Sequence, residues 1–188
     1  MVTGPTTEPV TTVETKAYLR VDTSDSDVLI GDLISAARME AEAVAARSFI
    51  SRTYELILDG WPADGRIELE YPPVASVTTI KYYDGDNVLQ TMSSGDYVLV
   101  SDTTPPYITL ASGASWPSDL RDHTPIRVRY VAGYGAASTD VPDNYRALIM
   151  GLVACEFEAR DEETLGNVRR RERIMQALAM DWGWASSQ

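Results

Sequence analysis

Residues 25–58 read DSDVLIGDLISAARMEAEAVAARSFISRTYELIL, and the hydrophobic period changes within them. Up to Phe49 apolar side chains recur at helical spacing: Ile30, Leu33, Ile34, Ala37, Ala41 and Val44 form one stripe. The spacing predicts a helix over 25–49, rich enough in alanine for another helix to approach closely. From Thr53 the period drops to two, the signature of a strand with one face on a core. The switch sets the fold class: helices first, then strands inserted before the helices resume.

Working outward, the TTVETKAYLR segment predicts a short helix over 13–20, and DTSDSD supplies turn and N-cap residues. Downstream of the switch, RIELEY alternates, with Ile67, Leu69 and Tyr71 on one face and Arg66, Glu68 and Glu70 on the other. Further strands are expected in SVTTIKYY, NVLQ, DYVLV, YITL and IRVRYV, with a hairpin turn at 84–87, DGDN. Helical period returns after GYGAAST. Asp140 is expected as N-cap and Pro142 in the first turn. Tyr145, Leu148, Ile149, Leu152 and Cys155 make an apolar face, and DEETLGN breaks the chain before a last helix over 168–182. The expectation is an α+β fold: an antiparallel helical bundle, two N-terminal and two C-terminal helices, with an inserted antiparallel β region. Its divisions are a flexible tail 1–9, a first bundle half 10–50, the β insertion 51–136, a second half 137–166, and a docking helix and tail 167–188. The two halves must pack together, because each stripe needs a partner.

Charge bounds the function. The chain of 188 residues carries a formal net charge of -12, which repels nucleic acid and offers no broad phosphate-neutralising footprint. Its bases are nearly all arginine, lysine occurring only at Lys16 and Lys81. Arginine suits bidentate pairing with carboxylates at interfaces. No apolar run approaches the roughly 18 residues of a membrane span, and the start, MVTGPTTEP, lacks the pattern of a signal peptide. One cysteine, Cys155, and one histidine, His123, cannot build the usual zinc site, and no internal disulfide can form. Cys155 reads as a buried thiol and His123 as a solvated loop residue. YVAGYGAAS mimics a dinucleotide fingerprint through Gly133 and Gly135, but Ser138 stands at the third glycine position and no βαβ unit follows. DTSDSD lacks the spacing and glycine of a calcium loop. The pairs Glu68/Glu70 and Asp161/Glu162/Glu163 read as solvated acidic faces. No catalytic, cofactor-binding or metal residue is expected.

The end of the chain stands apart. Residues 167–184, NVRRRERIMQALAMDWGW, place Arg169, Arg170, Arg171 and Arg173 in about one helical turn, ahead of Trp182 and Trp184. Val168, Met175, Leu178 and Trp182 fall on one side with Ile174 beside them. Two readings are open: an amphipathic helix packed on its own bundle, or a docking element, since Arg and Trp concentrate at interface hot spots.

Taken in order, PVTTVETKAYLRVD, SDVLIGDLISAARMEAEAVAARSFISRTYELILDGWP, IELEYPPVASVTTIKYYDGDN, GDYVL, IRVRYVAGYG and VPDNYRALIMGLVACEFEARDEE resemble tailed-phage head–tail connector proteins, also found in gene transfer agents. The resemblance spans roughly residues 9–165. It implies a non-enzymatic structural virion protein, without cofactor. Such adaptors form a dodecameric ring beneath the portal, join the DNA-filled capsid to a stopper or tail-completion protein, and let the genome slide through. An acidic lumen suits that passage by like-charge repulsion. The implied partners are the portal protein, neighbouring copies, the stopper or tail protein, and passing DNA held without specificity, with no membrane. The implied location is the virion neck, after assembly in the host cytoplasm. On this reading Arg169, Arg170, Arg171, Arg173, Ile174, Met175, Leu178, Trp182 and Trp184 form a portal plug, so truncation after Asn167 should leave a folded chain without portal binding. Arg127 and Arg129, on a strand, are candidates for contacts between subunits. The competing functions are another tail or stopper component, a cell-wall hydrolase and a transcriptional regulator.

Overall fold

The computed structural model describes Val2, residues 4–159 and residues 165–185, the last five by backbone alone. The chain divides into two compact units. One comprises Pro5–Ile50 and Tyr134–Gln188, the other Ser51–Gly133 and Met1–Gly4. The fold is α+β, with four α-helices and two antiparallel sheets among the described residues.

The helical unit holds α1 (Thr12–Leu19), α2 (Asp27–Ala45), α3 (Asp143–Ala159) and α4 (Leu165–Ala185). A capping box starts α1: the Glu14 amide donates to Thr11 Oγ1, and the Thr11 amide donates to Glu14 Oε2. The N-cap of α2 is Ser26, whose side chain makes no capping bond; Asp27 instead pairs with Lys16 at 2.6 Å. The expected stripe of α2 does face the core, with Ile30, Ile34, Ala37 and Ala41 buried against Ile149, Leu152 and Leu178.

The helix α2 ends at Ala45 rather than Phe49, for a traceable reason. Glu42 sits in the last turn and its Oε1 accepts the Phe49 amide at 2.9 Å, drawing the chain back. Ala46 takes the left-handed conformation that this return needs, at φ 48°. Glu42 is itself held by Arg38, which also reaches Glu8 at 2.7 Å. Residues 7–9, expected in a flexible tail, are therefore fastened. Glu8 pairs with Arg38, the Pro9 carbonyl accepts from Arg146, and Thr7 Oγ1 donates to the Ala136 carbonyl.

Asp140 is not the N-cap of α3. It closes a 3-10 turn, Ser138–Asp140, by accepting the Ala137 amide at 2.9 Å. The Pro142 carbonyl receives the first amides of α3 instead, and the helix begins at Asp143. The Asp140 carboxyl packs so close to Gly135 that any Cβ there would overlap it. That contact, not phosphate binding, accounts for the second glycine of the fingerprint-like stretch. The first, Gly133, has φ 131°, beyond the reach of most side chains.

The sheet unit contains β1 (Arg52–Leu58), β2 (Arg66–Glu68), β3 (Val74–Tyr83), β4 (Leu89–Thr91), β5 (Tyr97–Val100), β6 (Tyr107–Leu110) and β7 (Ile126–Ala132). The insertion forms two sheets: a four-stranded sheet ordered β1-β7-β3-β4 and a three-stranded sheet ordered β2-β6-β5. Ile67, Leu69, Ile80, Ile108, Ile126 and Val128 fill their common core. The alternation of RIELEY holds through Leu69 and fails at Tyr71, which turns at φ 58° and stacks on Tyr54 at 4.9 Å. The DGDN turn joins β3 to β4, Asp84 capping it by accepting the Val88 amide. Back in the helical unit, the departing and returning chain lie side by side. The Tyr134 amide donates to the Phe49 carbonyl at 3.0 Å, and Ile50 bridges Gly135.

Candidate docking surfaces

Helix α4 starts at Leu165, so Gly166 and Asn167 belong to it and the expected break does not extend that far. Asp161, Glu162 and Glu163 lie outside the described residues. The buried face is rotated from the one expected. Ile174 and Leu178 are buried and Met175 is partly buried in the helical core, while Val168 is exposed. Gly151 of α3 makes this approach close: a Cβ there would stand 2.8 Å from Ile174 Cδ1.

The arginines divide by face. Arg171 donates to Glu40 of α2 at 2.6 Å and pairs with Glu156 of α3. Arg170 donates to the Tyr18 hydroxyl at 2.9 Å and stands 3.8 Å from Glu158. These two therefore rivet α4 to its own unit. Arg169 and Arg173 are exposed, and among the described residues neither forms an ion pair; Arg173 Nε donates to the Arg169 carbonyl at 3.3 Å. Trp182 and Trp184 continue the helix past Leu178, the last buried residue among those described, and their side chains lie outside the described residues.

On the four-stranded sheet, Arg127 and Arg129 of β7 both reach Glu55 of β1, at 3.2 and 2.9 Å. The cross-strand register places Glu55 opposite Arg129. Hydrogen bonding from Arg129, then from Arg127, holds the Glu55 carboxyl below its ordinary range. Both arginines stay partly exposed.

Cys155 is buried, and burial pushes its thiol above the usual value. His123 is exposed, its carbonyl accepting from Arg121. Among the described residues no group of three or more His, Cys, Asp or Glu side chains could hold a metal ion. No described helix is long and apolar enough to cross a membrane.

Sequence reasoning missed the buried Arg38–Glu8–Glu42 cluster. Burial opposes the Arg38 cation, but Glu8 and Glu42 outweigh it and hold its pKa above the ordinary arginine value. The available signal was an i,i+4 Arg–Glu pair flanking an apolar stripe.

No family model and no curated protein matches the chain. Solved structures do. A chain in the neck of an empty gene transfer agent particle, computed with C6 symmetry, superposes with a TM-score of 0.76 at 26% identity over 92% of both chains. A chain in the virion of a native gene transfer agent particle gives 0.72 at 25% identity, again over 92% of both. This chain is similar to gene transfer agent neck proteins. A third structure, the neck of the native particle computed with C12 symmetry, matches at 0.71 and 24% identity over 95% of this chain and 94% of its own, and speaks for the fold alone. The sequence-level resemblance to head–tail connectors is thereby borne out.

Proposed function

We propose that this protein is a structural neck component of a tailed-phage-like particle, an adaptor that forms a ring beneath the portal and carries the stopper or tail. The observation that carries this reading is the likeness over nearly the full length of both chains to a particle neck component. The net charge of -12 fits a channel that DNA crosses without adhering. The activity is passive, matching shape and charge between neighbouring components.

Because Ile174 and Leu178 are buried, the proposed portal plug is drawn from the other residues of α4. These two side chains serve the bundle, and Arg170 and Arg171 fasten the helix that bears them. The portal contact is the end of α4, with Trp182 and Trp184 as its aromatic anchors. Arg127 and Arg129, although paired with Glu55, keep enough exposure to meet a neighbouring subunit.

The test is electron microscopy of the full chain mixed with purified portal rings. A ring seated on the portal is expected; a chain that ignores the portal overturns the adaptor reading. Binding to purified tail proteins alone would favour the rival assignment to a tail or stopper component.

A further inference from the structure

Helix α2 carries an outer face that a solvated helix would not have. Its exposed positions are Val28, Asp32, Ala36, Met39 and Ala43, spaced by four, four, three and four residues along one line. Four of the five are apolar, and Val28 is 81% and Met39 57% exposed. The opposite side of α2 already lies in the core, and among the described residues none of the helical unit's core covers this line.

Helix α4 carries a counterpart. Leu165, Arg169, Arg173, Gln176 and Met180 follow one another along its exposed side, with Leu165 70% and Met180 72% exposed at the two ends; exposed Glu172 lies beside the line and leaves it with a net positive charge. Both lines run along most of their helices, and both bear large apolar side chains. Their charges are opposite: a carboxylate at Asp32, guanidinium groups at Arg169 and Arg173. Asp32, Arg169 and Arg173 form no ion pair among the described residues.

Two different, complementary faces on one chain are what a head-to-tail contact between identical copies requires. We propose that the outer face of α2 in one copy receives the outer face of α4 from the next. In that contact Val28 and Met39 meet the apolar side chains of the α4 line, and Asp32 meets Arg169 and Arg173. The occupant is a second copy because the charge sign of each face is answered on the other. Nucleic acid has no use for a line whose one charge is a carboxylate. The inference rests on the ring reading and names the surfaces that would close such a ring. It also separates the roles of the arginine cluster: Arg170 and Arg171 act within a copy, Arg169 and Arg173 between copies.

The experiment uses the full chain, alone and on portal rings, with association followed by sedimentation and electron microscopy. Asp32→Arg and the pair Arg169→Asp with Arg173→Asp each place like charges at the contact, so association should weaken about tenfold or more. Combining all three changes in one chain should recover most of it. Met39→Asp should weaken association without a recovering partner. All these positions are exposed, so an unchanged thermal melt confirms that the variants fold. Rings that form normally in Asp32→Arg and Met39→Asp overturn this contact and leave the adaptor reading standing. A combined variant as weak as its parents also overturns it. A wild-type chain that never forms rings, even with portal present, overturns the adaptor reading and this contact together.

Discussion

Arg38 and Arg129 show how surroundings decide what an arginine is worth. Arg38 is 5% exposed and lies between Glu8 and Glu42; removing it leaves the Glu42 carboxylate buried beside the Phe49 amide. Arg38→Ala is expected to destabilise the protein by about 3 kcal/mol, the range for breaking one side of a buried pair. Arg129→Ala, at an exposed pair with Glu55, should cost less than about 1 kcal/mol. Urea denaturation of the two variants checks the contrast, and equal costs would refute it. Gly135→Ala belongs to the same scale. Its Cβ would overlap the Asp140 carboxyl, forcing the 3-10 turn to shift, and about 1–3 kcal/mol is expected, read from the same denaturation curves.

At the scale of elements, α4 packs into its own bundle and, in the function proposed above, also reaches the portal. Truncation after Asn167 removes Ile174 and Leu178 with the tryptophans. Loss of large buried aliphatic side chains costs about 2–5 kcal/mol each. That truncation should therefore unfold or loosen the helical unit, whereas truncation after Asp181 should leave its melting temperature within a few degrees. Circular dichroism melts of both truncated chains decide the point; equal melts would show that α4 contributes nothing to the core. The sequence reading could not separate these roles, because an apolar stripe looks the same whether its own bundle or a partner covers it. The end of α2 was illegible for a related reason. The periodicity ran on towards Phe49, and only the capture of the Phe49 amide by Glu42, itself steadied by Arg38, stops the helix. Strands were easier to read. Alternation marked the strand after Thr53 and RIELEY, but the pairing of β7 with both β1 and β3 joins residues far apart in the chain, and no local period encodes that.

At the scale of the whole molecule, acid should be felt in both units. Glu14 is held below the usual carboxylate range by the Thr11 backbone amide, the Thr11 hydroxyl and Arg146; Glu55 is held there by Arg129 and Arg127. A folded-state pKa that is depressed contributes stability in full above the unfolded value, about 4.3 for glutamate. That contribution fades as pH falls through the folded value. The melting temperature is thus expected to hold from pH 7 to about 5 and to drop below about pH 4. Glu14→Gln and Glu55→Gln should each flatten part of that acid limb. Melts collected between pH 3 and 7 provide the check, and an acid limb unchanged in both variants would refute the assignment.

The place where the chain leaves the helices and comes back has a consequence of its own. Phe49 and Tyr134 are hydrogen-bonded neighbours, so the segment from Ser51 to Gly133 begins and ends at one place on the helical unit. A segment whose two ends lie side by side can be lengthened, shortened or exchanged without moving the helices on either flank. The strand-bearing segment is in that sense a cassette, whose loops can vary while the helical frame stays the same.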